Sequence, residues 1–233
     1  MTEPLALFFG YGSLISEPEQ DRDICYRSLG LLDGVARGFN KRSPRRGCPR
    51  SCATNAFPDP TGGAFQHEDW TDSLAVGTLP APGESMVGLL VGYPSDHAEA
   101  VLARIDKREG YDPRQDRALL GYLRTKVAIQ PHGGGDVVQA WVYLSNPVGP
   151  YHVGDRISVH ERARILINAT PRTDSPAPAP VRARGLYYLE DLRRALRERG
   201  AIDRALERLA ESVLSVPGPW CEWVHRSERR NER

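Results

Sequence analysis

Apolar residues fall in short runs broken by Gly and Pro through the first two thirds of the chain, and at helical spacing through the last third. Leu5-Ala6-Leu7-Phe8-Phe9 is unbroken and stops at Gly10, too short for a helix of about ten residues or more, and predicts a buried strand. Met86 to Tyr93 predicts a second buried strand, with Gly88 and Gly92 small enough to let another backbone approach. Leu123, Thr125, Val127 and Ile129 alternate on one side of a third, and Pro131 to Asp136 turns it into Val137 to Leu144, a hairpin. Val35 to Gly63 and Gly77 to Gly83 are rich in Gly, Pro or Arg with little periodicity and predict loops and short strands.

Four helices are expected. Asp96 as cap with Glu99 three residues on precedes an apolar face of Ala98, Val101, Leu102 and Ile105, and Gly110 ends that helix. Ser158 and Glu161 form a second capping box, for a helix through Ile167 stopped by Asn168 and Pro171. After the Pro/Ala-rich loop Pro171 to Pro180, Leu189, Leu192 and Leu196 mark a helix ending at Gly200, and Ile202, Leu206, Leu209 and Val213 mark the last. Strands followed by helices, without regular βαβ alternation, predict an α+β fold. A chain of 233 residues supports one sizeable core, here assigned to a single domain over residues 1–216 with a charged tail at 217–233.

Composition narrows the function classes. Lys plus Arg number 31 against 30 for Asp plus Glu, so no whole-chain field favours a nucleic acid or an anionic membrane. No apolar run approaches the roughly 18 residues of a membrane span. The start lacks a basic segment before Leu5 and leaves no room for a signal h-region before Gly10, so a cytoplasmic setting is expected. Cys25, Cys48, Cys52 and Cys221 are scattered and read as reduced thiols, while Cys48 and Cys52 alone keep a zinc site open without a second ligand pair. No metal is expected.

Two stretches carry candidate chemistry. In Gly10-Tyr11-Gly12-Ser13-Leu14-Ile15 two glycines allow a tight turn that presents backbone N–H groups to a carboxylate or carbonyl oxygen. A dinucleotide fingerprint fails on context, because Ile15 occupies the sixth position and Ser16 to Asp23 offers acidic residues and no apolar helical face. A purely structural glycine turn stays open. Glu109 stands at the end of the first long helix, where the helix dipole disfavours a carboxylate and raises its affinity for a proton, and Lys107 and Arg108 oppose this if they point the same way. The alternative is a solvated charged helix end.

Together, GYGSLI at residues 10–15 and IDKREGY at 105–111 resemble the two signatures of the γ-glutamylcyclotransferase superfamily, in its ChaC-like branch. Trp141-Val142-Tyr143-Leu144, the helix from Tyr188 to Leu196 and, more weakly, Val35 to Phe39 extend the similarity. The chain departs from that branch in having Ser16 where a Trp usually follows the glycine motif, and in a longer stretch from Arg45 to Pro60. The resemblance implies a small mixed β-barrel with flanking helices and a helical C-terminal third. It implies an enzyme without cofactor that cleaves a γ-glutamyl amide, glutathione above all, by closing the glutamyl unit into 5-oxoproline. Glu109 is then the general base and acid. Gly10, Tyr11, Gly12, Ser13, Leu14 and Ile15 hold the small-molecule substrate, and Tyr143 corresponds to a tyrosine of the pocket. Another γ-glutamyl compound, or a non-catalytic module binding an anionic metabolite, are the alternatives. Arg42, Arg45, Arg46 and Arg50 read either as a solvated loop or as the source of an arginine for the glycyl carboxylate.

Overall fold

The structure, a computed structural model, describes residues 5–16, 23–53, 70–154, 157–172, 184–218 and 220. Most of the Pro/Ala-rich loop, Cys221 and the tail after 220 lie outside the described residues. The chain divides into two compact units, Met1–Gly38 with Val76–His152 and Phe39–Ala75 with Val153–Arg233.

Five strands close a barrel in the order β1-β3-β2-β4-β5: β1 (Leu5–Gly10), β2 (Tyr26–Pro49), β3 (Trp70–Pro94), β4 (Tyr122–Pro131) and β5 (Val138–Ser145). In β1 the apolar run pairs antiparallel with β3, from Leu5 opposite Pro94 to Gly10 opposite Leu89, and parallel with β5 at Phe8 and Trp141. The hairpin read from the alternation forms β4 and β5, from Tyr122 opposite Ser145 to Ile129 opposite Val138. The parallel β1–β5 pair beside the antiparallel β1–β3, β2–β4 and β4–β5 pairs makes the barrel mixed, as the resemblance implied.

Inside the first unit Phe8, Phe9, Leu89, Leu90, Ile129, Ala140 and Val142 are buried. So are Val101 and Ile105 on α2 (Ala98–Glu109), the apolar face expected of that helix. Its start differs from expectation. Ser95–His97 form a 3-10 turn in which the Ala98 N–H bonds Ser95 O, so the helix is entered from His97 and no side chain caps it. Asp96 is spent inside that turn and the Asp96/Glu99 box does not form. Gly110 ends the helix in the left-handed conformation at φ 68°.

The two stretches expected as loops and short strands belong instead to long strands over 35–49 and 77–83. Val35 to Pro49 continues β2, and Gly77 to Gly83 lies inside β3. Tertiary partners explain the first: Arg42 is buried against Asp72 at 2.7 Å, and the Arg46 guanidinium lies 3.9 Å from the Tyr188 ring centre. In the second, Pro80 and Pro82 to Ser85 are exposed, so that part of the strand has no apolar alternation to read.

The second unit holds the helices α3 (Val159–Asn168), α4 (Gly185–Arg197) and α5 (Arg204–Leu214). The Ser158–Glu161 capping box forms on both sides. Leu166, Leu189, Leu192, Leu196, Leu206, Leu209 and Val213 are buried on these helices. Ile202 does not join them, being 70% exposed, because Asp203 caps α5 through the Ala205 and Leu206 N–H groups and leaves Ile202 ahead of the helix.

Candidate active site in the first unit

The glycine motif leaves the end of β1 and winds at once into the single turn α1 (Ser13–Ser16), closed by Ile15 N–H to Gly12 O at 2.9 Å. Ile15 is fully buried and anchors the turn. Gly10 is required here: a Cβ at this position would lie 2.6 Å from the Leu14 Cβ, which the tight return of the chain places against it. Tyr11 is pinned at both ends. Its hydroxyl donates to Tyr143 O, and its carbonyl accepts from Arg37 Nε at 2.9 Å. A second Arg37 nitrogen reaches Val87 O at 2.5 Å.

Helix α2 brings its last turn to the same place. Arg108 Nη2 donates to Ser13 Oγ at 2.9 Å, and Arg108 Nε lies 3.6 Å from Glu109 Oε1. Arg108 therefore stands between the glycine motif and Glu109, and of the two neighbouring cations it is the one against the carboxylate, opposing the helix dipole; Lys107 is exposed. The Glu109 side chain is about one-fifth exposed, so it is neither sealed in the core nor free in solvent.

One turn back on α2, Asp106 accepts from Tyr143 Oη at 2.6 Å and from Arg124 Nη1 at 2.5 Å. The Arg124 guanidinium in turn lies 4.9 Å from the Tyr111 ring centre and 5.2 Å from that of Trp141, and Tyr111 meets Tyr143 edge-on at 6.3 Å. The aromatic collar thus fixes Tyr143 beside α2. Tyr143 was expected as a pocket residue, and its hydroxyl donates to Asp106 while its oxygen faces the Arg124 guanidinium as an acceptor.

Burial first, then the hydrogen bond and charge of Asp106, push the Tyr143 hydroxyl well above the usual tyrosine value. A folded-state value above the unfolded one contributes stability that is complete below about 10 and is lost as the pH climbs toward the folded value. Unfolding free energy is therefore expected to fall with pH above about 10. In Tyr143→Phe that alkaline slope should be shallower by up to ~1.4 kcal/mol per pH unit, with the smaller contribution of burial-raised Tyr187 left in place. Denaturant curves from neutral to alkaline pH check this, and an unchanged slope would assign the alkaline loss elsewhere.

Sequence reasoning reached Gly10 to Ile15, Glu109 and Tyr143, which the structure gathers in one unit. It missed Asp106, Arg124, Tyr111 and the roles of Arg108 and Arg37. Asp106, Arg108 and Tyr111 stood inside the 105–111 motif and Arg37 inside Val35–Phe39, whereas Arg124 carried no signal. Among the described residues no group of His, Cys, Asp and Glu is arranged to hold a metal ion, and no helix is long and apolar enough to cross a membrane.

The closed mixed barrel with its flanking helices is the γ-glutamylcyclotransferase-like fold. The ChaC-like protein family model matches residues 7–216, and the chain belongs to that family. Two crystal structures of a glutathione-specific γ-glutamyl cyclotransferase from yeast share the fold at TM-scores of 0.62 and 0.59, both at 18% identity. They align over 91% of this chain and over 96% and 99% of theirs. No curated protein sequence matches the chain.

Proposed function

We propose that this chain is a γ-glutamylcyclotransferase that converts glutathione to 5-oxoproline and Cys-Gly. The observation that carries the reading is the Arg108 bridge. One guanidinium contacts Ser13 of the glycine motif and flanks Glu109, so a ligand-holding turn and a candidate proton carrier meet at the end of α2. Family membership and the yeast structures support the choice of glutathione.

The chemistry asks little of a protein. The substrate's α-nitrogen attacks its own γ-carbonyl carbon, a five-membered ring closes, and the bond to the cysteinyl nitrogen breaks. Holding the glutamyl chain in the ring-closing conformer removes much of the entropic barrier, so no protein nucleophile is needed. Two protons must pass from the attacking nitrogen to the leaving one, and a single carboxylate carries them in turn. Glu109 takes that role. Backbone N–H groups of the 12–14 turn stabilise the charge that grows on the γ-carbonyl oxygen. Tyr143, held by Asp106 and Arg124, forms a fixed wall beside the end of α2.

Purified protein incubated with glutathione is expected to release 5-oxoproline and Cys-Gly in equal amounts, read by chromatography. A panel of γ-glutamyl amino acids and amines runs beside it. Faster turnover of one of these would replace glutathione as the substrate, and no 5-oxoproline from any of them would leave a binding module.

A further inference from the structure

We propose that Arg37 is a positioning residue for the reaction, acting through the Tyr11–Gly12 peptide to make the Gly12 N–H a stronger and better aimed donor to the substrate oxygen. The inference rests on the cyclotransferase reading above and adds to it a residue remote from the chemistry.

Arg37 is 3% exposed, and its guanidinium is spread over two main-chain carbonyls, Tyr11 O at 2.9 Å and Val87 O at 2.5 Å. Val87 belongs to β3, so one end of the fork is fixed to the barrel wall and the other to the first residue after β1. The Tyr11 carbonyl shares a peptide plane with the Gly12 N–H. In a trans peptide the two point in opposite directions. A carbonyl drawn to a buried guanidinium therefore turns the Gly12 N–H away from Arg37, toward the partly exposed side of the turn. The Tyr11 ring resists rotation about this plane, because its hydroxyl is held by Tyr143 O.

Direction is half of the effect. A charged donor at the carbonyl oxygen withdraws electron density through the amide and leaves its N–H more positive, the polarisation by which chained hydrogen bonds strengthen one another in a low-dielectric interior. A donor aimed in advance at a developing oxyanion lowers the barrier more than it tightens substrate binding, so its weakening shows in kcat and much less in KM. Removing such a donor outright typically costs ~100- to 1,000-fold in kcat. Arg37→Gln, which leaves the donor present but loosened and unpolarised, is expected to lose about 10- to 100-fold in kcat with KM changed less than about threefold. Arg37→Lys keeps the charge and one of the two bonds and should recover most of that loss.

The test pairs kinetics on glutathione with the Gly12 amide signal in nitrogen-15 labelled protein. The proposal expects the Gly12 amide proton to shift upfield in both variants, further in Arg37→Gln, alongside the kcat order wild type, Lys, Gln. Wild-type kcat in folded Arg37→Gln, a loss confined to KM, or an unmoved Gly12 amide would overturn it. So would unfolding of both variants, which makes Arg37 a packing residue. If the wild type itself forms no 5-oxoproline, the functional reading has failed. The amide shifts then still decide whether Arg37 polarises the turn.

Discussion

On the proposed mechanism, Glu109→Gln is expected to lower kcat for 5-oxoproline formation by about 100- to 10,000-fold while the protein folds and binds substrate much as before. Gln matches Glu in size and can still accept a hydrogen bond, but it cannot take a proton from the substrate ammonium and return it to the departing amine. The loss therefore falls on the chemical step, with KM nearly unchanged. Folding should survive because the side chain is about one-fifth exposed at a helix end already closed by Gly110. Steady-state kinetics with a thermal melt on the same preparation separate these effects. Glu99→Gln is the control: the side chain is exposed in the first turn of the same helix and should leave kcat within about twofold, as for surface changes worth less than about 0.5 kcal/mol. Near-wild-type turnover by Glu109→Gln would show that the proton carrier is another group. Unfolding would make Glu109 a structural residue.

Gly47→Ala destabilises the protein by about 3 kcal/mol or somewhat more, the upper end of overpacking costs. A Cβ at position 47 would lie 1.7 Å from Thr71 O, 2.8 Å from Thr71 C and 3.1 Å from Asp72 Cα. All three atoms are backbone of β3, so no rotamer change relieves the clash and the strands must move apart. The same place is tied by Thr71 Oγ1 donating to Cys48 O at 3.0 Å, by Arg184 Nη1 donating to Gly47 O, and by the Arg42–Asp72 pair with both side chains at most 5% exposed. Separating the strands loosens each of these and leaves a buried charge less well matched. Denaturant unfolding measures the cost, and Gly133→Ala is its control, since a Cβ there meets nothing within 4 Å and should change stability by no more than about 0.5 kcal/mol. Equal stability of the two variants would mean that β2 and β3 adjust without cost.

Local chemistry wrote some of this molecule plainly into the chain. An apolar run ended by Gly10, the 123–129 alternation leading through a Gly-rich turn into 137–144, the Ser158–Glu161 capping box and the leucines of α4 each act between residues close in sequence, and each reappears in place. The glycine turn and the helix-end carboxylate were legible as local arrangements for the same reason, while their reading as one site came from their paired resemblance to the family. The length of the strand through 35–49 was not legible, since its local pattern predicted only loops and short strands. What makes that Arg- and Gly-rich stretch a strand is supplied from a distance, by Asp72 for Arg42, Tyr188 for Arg46 and Arg184 for Gly47. Competition among neighbouring donors decided the start of α2, where a 3-10 turn displaced the Asp96 cap. The surroundings of the site belong wholly to the tertiary structure. Asp106 meets Arg124 across 18 positions, Arg37 meets Tyr11 across 26 and Arg108 meets Ser13 across 95, and a charge shows its partner only once the barrel has closed around both.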